Sequence, residues 1–234
     1  KFQTWSVKNL INGPWDTDGR REIYTKAELT KEMHEELYEY CISKKINFLT
    51  SIFNFKDIDK LENIKLDTIK IPSHEIYNID LISNCLNNFE KVLISAGASK
   101  WNEIKKISKL KNFKKKAILM HCISSYPCEP KNLNFKKINY IKKLSPIFGY
   151  SGHYNGIDDA IVAISNGATY IEKHFTINKK LPGRDNKFAI LPEDLSKLSS
   201  FRDFFTKSYN FKGLNVQKCE MDIYKNYRGR WSGK

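Results

Sequence analysis

Short apolar runs alternate along this chain with stretches whose apolar residues recur every three or four positions. INFLTSIF from Ile46, TIKI from Thr68, KVLIS from Lys91, AILMHC from Ala117, IFGYSGH from Ile147 and ATYIEKHFT from Ala168 read as strands, with Phe2-Gln3 as an extended stub before them. Helical periodicity predicts helices over 26–44, 57–62, 79–87, 101–110, 135–144 and 192–205. Another is marked by Ile157, Ala160, Ile161 and Ile164 on one face. In the first helix Leu29, Met33, Leu37 and Tyr40/Cys41 form the expected apolar stripe. Pro72 cannot donate to a ladder, so its strand ends near Ile71 and Ser73-His74-Glu75 turns across the sheet edge.

Strand and helix alternate at about 20 to 30 residues per unit, the mark of a parallel α/β fold. A doubly wound sheet and a closed barrel both accommodate that rhythm. The barrel is favoured because nearly every strand ends in a polar residue: Ser51, Lys70 with Ser73 and Glu75, Ser95, His121, Ser151 with His153, and Glu172 with His174. A barrel collects such residues on one rim, whereas an open sheet gathers its site at a single switch point. No Gly-x-Gly-x-x-Gly follows a strand, which argues against a dinucleotide site.

Composition narrows the class further. The 234 residues are 41% apolar and 13% aromatic, as expected of a globular protein with a sizeable core. The net charge of +14 would suit an anionic partner, but the lysines are spread over most helices. The KNFKKK cluster at Lys111 lacks the aromatic interleaving of a nucleic-acid platform, so neither nucleic acid nor membrane is expected as a partner. Five cysteines without a Cys-x-x-Cys pair fit a reducing compartment, and no run reaches the length of a membrane span. The expected location is the cytoplasm.

The chemistry concentrates between Ile147 and Lys187. In extended chain Ser151 shares a face with His153, and Tyr170 and Glu172 share one with His174. Parallel strands joined by a helix place both histidines on the same rim, with Gly183-Arg184-Asp185 just beyond.

Taken in order, KFQ at Lys1, FLTSIF at Phe48, KIPSHE at Lys70, ISAG at Ile94, LMHCISSYP at Leu119, GYSGH at Gly149 and GATYIEKHFT…LPGRDNKFAILPEDL from Gly167 resemble the sialic acid synthase family, including the legionaminate and pseudaminate synthases. That family condenses phosphoenolpyruvate with an N-acetylated amino-sugar aldehyde to a nonulosonic acid and phosphate. The resemblance implies a (β/α)8 TIM barrel, incomplete at the N-terminus, over residues 1–215, followed by a basic tail over 216–234. The family's first β/α unit and its antifreeze-like C-terminal domain are not found in the chain, which reads as part of a longer, homodimeric protein.

Residue by residue, the resemblance implies that His153 and His174 hold a divalent metal, typically Mn2+, with Mg2+ or Co2+ as alternatives. Lys70, Ser51, Ser73 and Ser95 match the phosphoenolpyruvate set, and Lys1 meets the same substrate. Glu75 matches the carboxylate that handles the attacking water, and Glu172 the one that orients its neighbours. Tyr126 and Ser151 line the pocket, and Asp185 meets the amino-sugar hydroxyls. The chain departs from the common pattern at Gly152, where Asp is usual, at His74, where Gly is usual, and at Arg184 and Asn186 beside Asp185. Two other functions remain open from the residues: a Schiff-base aldolase using Lys70 or Lys173, and a basic non-catalytic binding protein.

Overall fold

A computed structural model describes residues 1–233. Seven strands, β1 (Phe2–Thr4), β2 (Thr50–Ile52), β3 (Thr68–Ile71), β4 (Lys91–Ser95), β5 (Ala117–Cys122), β6 (Phe148–Gly152) and β7 (Tyr170–Lys173), form one sheet in sequence order. Every neighbouring pair is parallel. Parallel neighbours require crossovers, and helices supply most of them. Helices α1 (Arg20–Lys26) and α2 (Lys31–Ser43) lie between β1 and β2, α3 (Ile79–Asn88) follows β3, and α4 (Trp101–Ile107) and the short α5 (Phe113–Lys116) follow β4. After β5, β6 and β7 come α6 (Ile138–Leu144), α7 (Asp158–Ser165) and α8 (Pro192–Ser208), and α9 (Met221–Asn226) lies in the tail.

The sheet is curled. Seven strands at about 4.8 Å spacing would put the edge strands of a flat sheet roughly 29 Å apart. Yet the Lys1 ammonium, beside β1, lies 3.1 Å from the Glu172 carboxylate on β7. Only a sheet rolled most of the way to a barrel brings those side chains together, so this is an incomplete barrel of parallel strands.

Alternation along the strands sorts the two faces. Ile69, Ile71, Val92, Ile94, Leu119 and Phe148 face the helices and merge with Leu81, Ile82, Cys85, Leu86, Ile104 and Ile107 in the main core. Full burial of each such aliphatic side chain contributes about 1.5–3 kcal/mol. Leu93, Ile118 and Met120 point the other way and form a small cluster inside the curl.

Several expectations are corrected in detail. The predicted helix over 26–44 is two helices, broken at Ala27–Thr30, where the Thr30 hydroxyl caps α2 by accepting from the Met33 amide at 3.2 Å. Its stripe is also rotated: Met33 and Tyr40 are 46% and 63% exposed, while His34 is fully buried. The Nδ1–H of His34 donates to the Thr30 carbonyl at 2.6 Å and its Nε2 accepts from the Thr4 hydroxyl at 2.8 Å, so a polar residue holds an inward position because both ring nitrogens are satisfied. The segment at 57–62 is a 3-10 helix, Phe55–Leu61. His121 does not join the rim; its ring lies in the helix layer against Phe135 and Tyr150 and donates to the Leu133 carbonyl at 2.8 Å. Among the described residues, no helix is long and apolar enough to cross a membrane.

Candidate active site at the C-terminal rim

The inward face of the strand ends carries two adjoining groups of side chains. The first is built on the edge carboxylate Glu172. Its two oxygens face the Lys1 ammonium at 3.1 Å and the Lys70 ammonium at 3.3 Å. Lys1 also donates to the Ser51 hydroxyl at 3.2 Å, and Lys70 to Ser95 Oγ at 2.7 Å and to the Ile71 carbonyl at 3.1 Å. Ser51 and Lys70 are paired in register, as are Ser151 and Glu172, so the cluster follows directly from strand alignment.

Two cations share one carboxylate, leaving an excess positive charge at the base of the rim. Lys70 is 2% exposed, and burial pulls its proton affinity below the ordinary lysine range despite the attraction of Glu172. Burial works against the charge of Glu172 as well, but the two ammoniums outweigh it and hold its carboxyl at about 2. The group therefore stays ionised through neutral pH.

Above this cluster lies a small cradle. The Gly97 amide donates to Ser73 Oγ at 3.2 Å, and a Cβ on Gly97 would come within 2.5 Å of Ser124 Oγ and 2.8 Å of Ser73 Oγ. Ser124 Oγ is buried without a protein partner. Such an orphan hydroxyl, beside a glycine that admits close approach, marks a place where an oxyanion fits. Gly97 closes the ISAG motif and Ser124 lies within LMHCISSYP, and a glycine directly after a strand is the signal for this cradle that the sequence carries.

The second group is the histidine pair. His153 and His174 lie with ring centroids 5.4 Å apart. The Nδ1–H of His153 donates to the Ile123 carbonyl at 2.9 Å, which leaves Nε2 as the free donor atom for a ligand. His174 Nδ1 lies 3.5 Å from the Asp185 carboxylate. Burial lowers the proton affinity of His174, with Asp185 acting in the opposite sense. At nitrogen–metal distances of about 2.1 Å, two imidazoles on one cation have centroids roughly 5 Å apart, so the pair fits a shared ion. Among the described residues no group of three or more His, Cys, Asp or Glu side chains is arranged to hold a metal, so a cation here would have only the two imidazoles from the protein.

Tyr126 closes one side, its ring 4.1 Å from that of His153 and 6.2 Å from that of His174. Its hydroxyl is pushed up to about 12 by burial, so it remains a neutral donor. Ser151 is buried between Cys122 and Glu172 in register, and Cys122 Sγ lies 4.0 Å from His153 Nδ1.

Glu75 stands apart from this assembly. It lies in the 3-10 turn Ser73–Glu75, accepts from the Asn78 side chain at 3.5 Å, and makes no ion pair with Lys70. Burial raises its carboxyl above the ordinary range. His74 turns away from the cluster to lie over Phe53, with ring centroids 5.2 Å apart.

The fold and site define an α/β protein with a parallel barrel-type sheet that carries a lysine–carboxylate cluster and a histidine pair on its C-terminal rim. The chain belongs to the NeuB family, which it matches over residues 1–208, and the resemblance read from its motifs is thereby borne out. It is 30% identical over 214 residues to the N,N'-diacetyllegionaminic acid synthase of Campylobacter jejuni, covering 85% of this chain and 64% of that protein. It is 30% identical over 187 residues to the pseudaminic acid synthase of Helicobacter pylori, covering 77% of this chain and 54% of that one. The chain thus spans less than two thirds of the length of these relatives. Among solved structures, the N-acetylneuraminic acid synthetase of Leptospira borgpetersenii superposes with a TM-score of 0.84 at 29% identity, covering all of this chain and 81% of that one.

Proposed function

We propose that this chain carries the barrel of a nonulosonic acid synthase, which joins phosphoenolpyruvate to an N-acetylated amino-sugar aldehyde and releases phosphate. The observation that carries this reading is the sharing of one carboxylate, Glu172, between two ammoniums at 3.1 and 3.3 Å, two residues from a histidine pair on the same face. The relatives' names point the same way.

In this reading Lys70 and Lys1 hold the anionic groups of phosphoenolpyruvate, and Ser51, Ser73, Ser95 and the Gly97 cradle receive its phosphate oxygens. The enol carbon C3 bonds to the aldehyde carbon, the aldehyde oxygen takes a proton, and electron deficiency develops at C2. Water adds there and yields both its protons, one in net to the former aldehyde oxygen and one to the phosphate, as the C2–O bond to phosphorus-bound oxygen breaks, C2 becomes a ketone and inorganic phosphate leaves with the bonding pair. Glu75 has no contact with the lysine cluster but shares the turn Ser73–Glu75 with the cradle hydroxyl of Ser73, and it is assigned the water's proton from there. Tyr126 and Ser151 wall the pocket, and Asp185, beside His174, faces the sugar hydroxyls. A divalent cation held by His153 and His174, Mn2+ or else Mg2+ or Co2+, would supply Lewis-acid polarisation of the aldehyde.

The depressed proton affinity of Lys70 is also what a Schiff-base aldolase would require. Lys173 does not fit that role, because its ammonium is ion-paired with Asp159 at 2.8 Å on the outer face.

The deciding experiment measures phosphate release from phosphoenolpyruvate by the full product of the gene, with and without Mn2+, against a panel of N-acetylated amino-sugar aldehydes. Release that requires one sugar and the metal, and is lost in His153→Ala and His174→Ala, is expected. Metal-independent borohydride trapping of a keto acid on Lys70, without phosphate release, would replace the synthase by the aldolase.

A further inference from the structure

Directly behind the histidine pair, on the outer face of the strands, lies a buried ionic knot that the proposed chemistry does not use. Asp159, the second residue of α7, is 1% exposed. Its carboxylate accepts from Lys173 Nζ at 3.0 and 2.8 Å, from the Tyr150 hydroxyl at 3.0 Å and from the Ala160 amide at 2.8 Å. Lys173 Nζ completes its set by donating to the Tyr154 carbonyl at 2.8 Å. A Cβ on Gly152 would collide with Asp159 Oδ2 and lie 2.5 Å from the Tyr150 ring. The carboxylate therefore occupies the space that a side chain at Gly152 would fill.

The chain positions of these contacts matter more than their number. Tyr150 and Gly152 precede His153, Tyr154 follows it, and Lys173 directly precedes His174. The knot thus fixes the backbone on both sides of one histidine and beside the other, and it does so from a single carboxylate. We infer that Asp159 is a positioning residue for the His153/His174 pair, setting the spacing at which the two imidazoles meet a common divalent cation. The inference rests on the metal role proposed above. A carboxylate in the first turn of a helix is favoured by the helix dipole, which adds to the stability of the knot.

A purely structural role, fastening α7 to β7, would make the same contacts, so the test must separate stability from geometry. Replacing the pair by apolar residues of similar volume, Asp159→Leu/Lys173→Met, leaves no buried unpaired charge and is expected to keep the fold. Mn2+ binding is then followed by electron paramagnetic resonance in wild type, in this double variant and in Asp159→Asn, which retains an acceptor for Tyr150 and Lys173. The expected result is a 10- to 100-fold loss of Mn2+ affinity in the folded double variant, as for other groups that orient metal ligands, and a smaller loss in Asp159→Asn. Wild-type affinity in the double variant, or in a folded Asp159→Asn if the double variant does not fold, overturns the inference and leaves the proposed function standing. If wild type itself binds no Mn2+, the proposed metal role fails. The inference is then overturned with it, since a cation common to both imidazoles is part of what it states.

Discussion

Glu172 and Lys70 touch one another, yet their removal should have unequal consequences. At an effective dielectric constant of about 20, each ammonium–carboxylate contact, at 3.1 and 3.3 Å, is worth about 5 kcal/mol before desolvation. Lys70→Met loses one such attraction and the donors to Ser95 and Ile71, but it also removes the cost of burying an ammonium, and Glu172 keeps Lys1. The net change should be about 0–2 kcal/mol. Glu172→Gln loses both attractions and leaves two cations with no anion between them, the circumstance in which a buried charge is most costly, about 3–5 kcal/mol. For a chain of this size each kcal/mol shifts the melting temperature by about 2–4 °C, so at the midpoints of these ranges, about 1 and about 4 kcal/mol, the two variants should differ by about 6–12 °C. Inorganic phosphate should reverse the order of ligand response. It should protect Glu172→Gln more than wild type, since nothing then competes for the cations, and Lys70→Met hardly at all. Differential scanning fluorimetry over a phosphate series reads both effects. A Lys70→Met melting temperature below that of Glu172→Gln, or equal phosphate protection of the two, would refute the shared-carboxylate reasoning.

Other outcomes follow from single features. Gly97→Ala should leave the melting temperature within a few degrees but abolish phosphate protection, because the new Cβ falls 2.5 Å from Ser124 Oγ in the cradle; retained protection would place the oxyanion elsewhere. Gly152→Ala should destabilise by about 1–3 kcal/mol through overpacking against Asp159 and Tyr150, measured by urea denaturation. Burial depresses the proton affinity of both His34 and His121 below that of the unfolded chain. The unfolded state therefore takes up the protons first, so their contribution is complete above about pH 6.5 and is lost as pH falls below it. Melting temperatures from pH 7.5 to 5 should decline, and less steeply in His34→Gln; a flat profile would contradict the burial of both rings.

What the linear chain determined is the rhythm of the fold and the identity of its rim. Period-two runs ending in Ser51, Lys70, Ser95, Ser151 and Glu172, separated by helical stretches, dictate a parallel α/β sheet, because parallel strands admit no shorter connection. The same alternation places Glu172 and His174 on one face, since it is a property of extended backbone alone. What the tertiary structure alone decided is which side chains share charge and which turn outward. His121 ends a strand as legibly as His153 does, yet it faces the helices, because the parity of a position depends on where the ladder starts and the sequence leaves that free by a residue. The Lys1–Glu172 contact joins residues at opposite edges of the sheet and exists only because the sheet curls. Likewise, the apolar stripe drawn through Met33 and Tyr40 yielded to one through His34, since the Thr4 hydroxyl and the Thr30 carbonyl satisfy an imidazole that hydropathy would have left in water. Asp159 carried no signal in the sequence: its partners Lys173 and Tyr150 come from two neighbouring strands, and only their packing against α7 makes one carboxylate the support of both histidines.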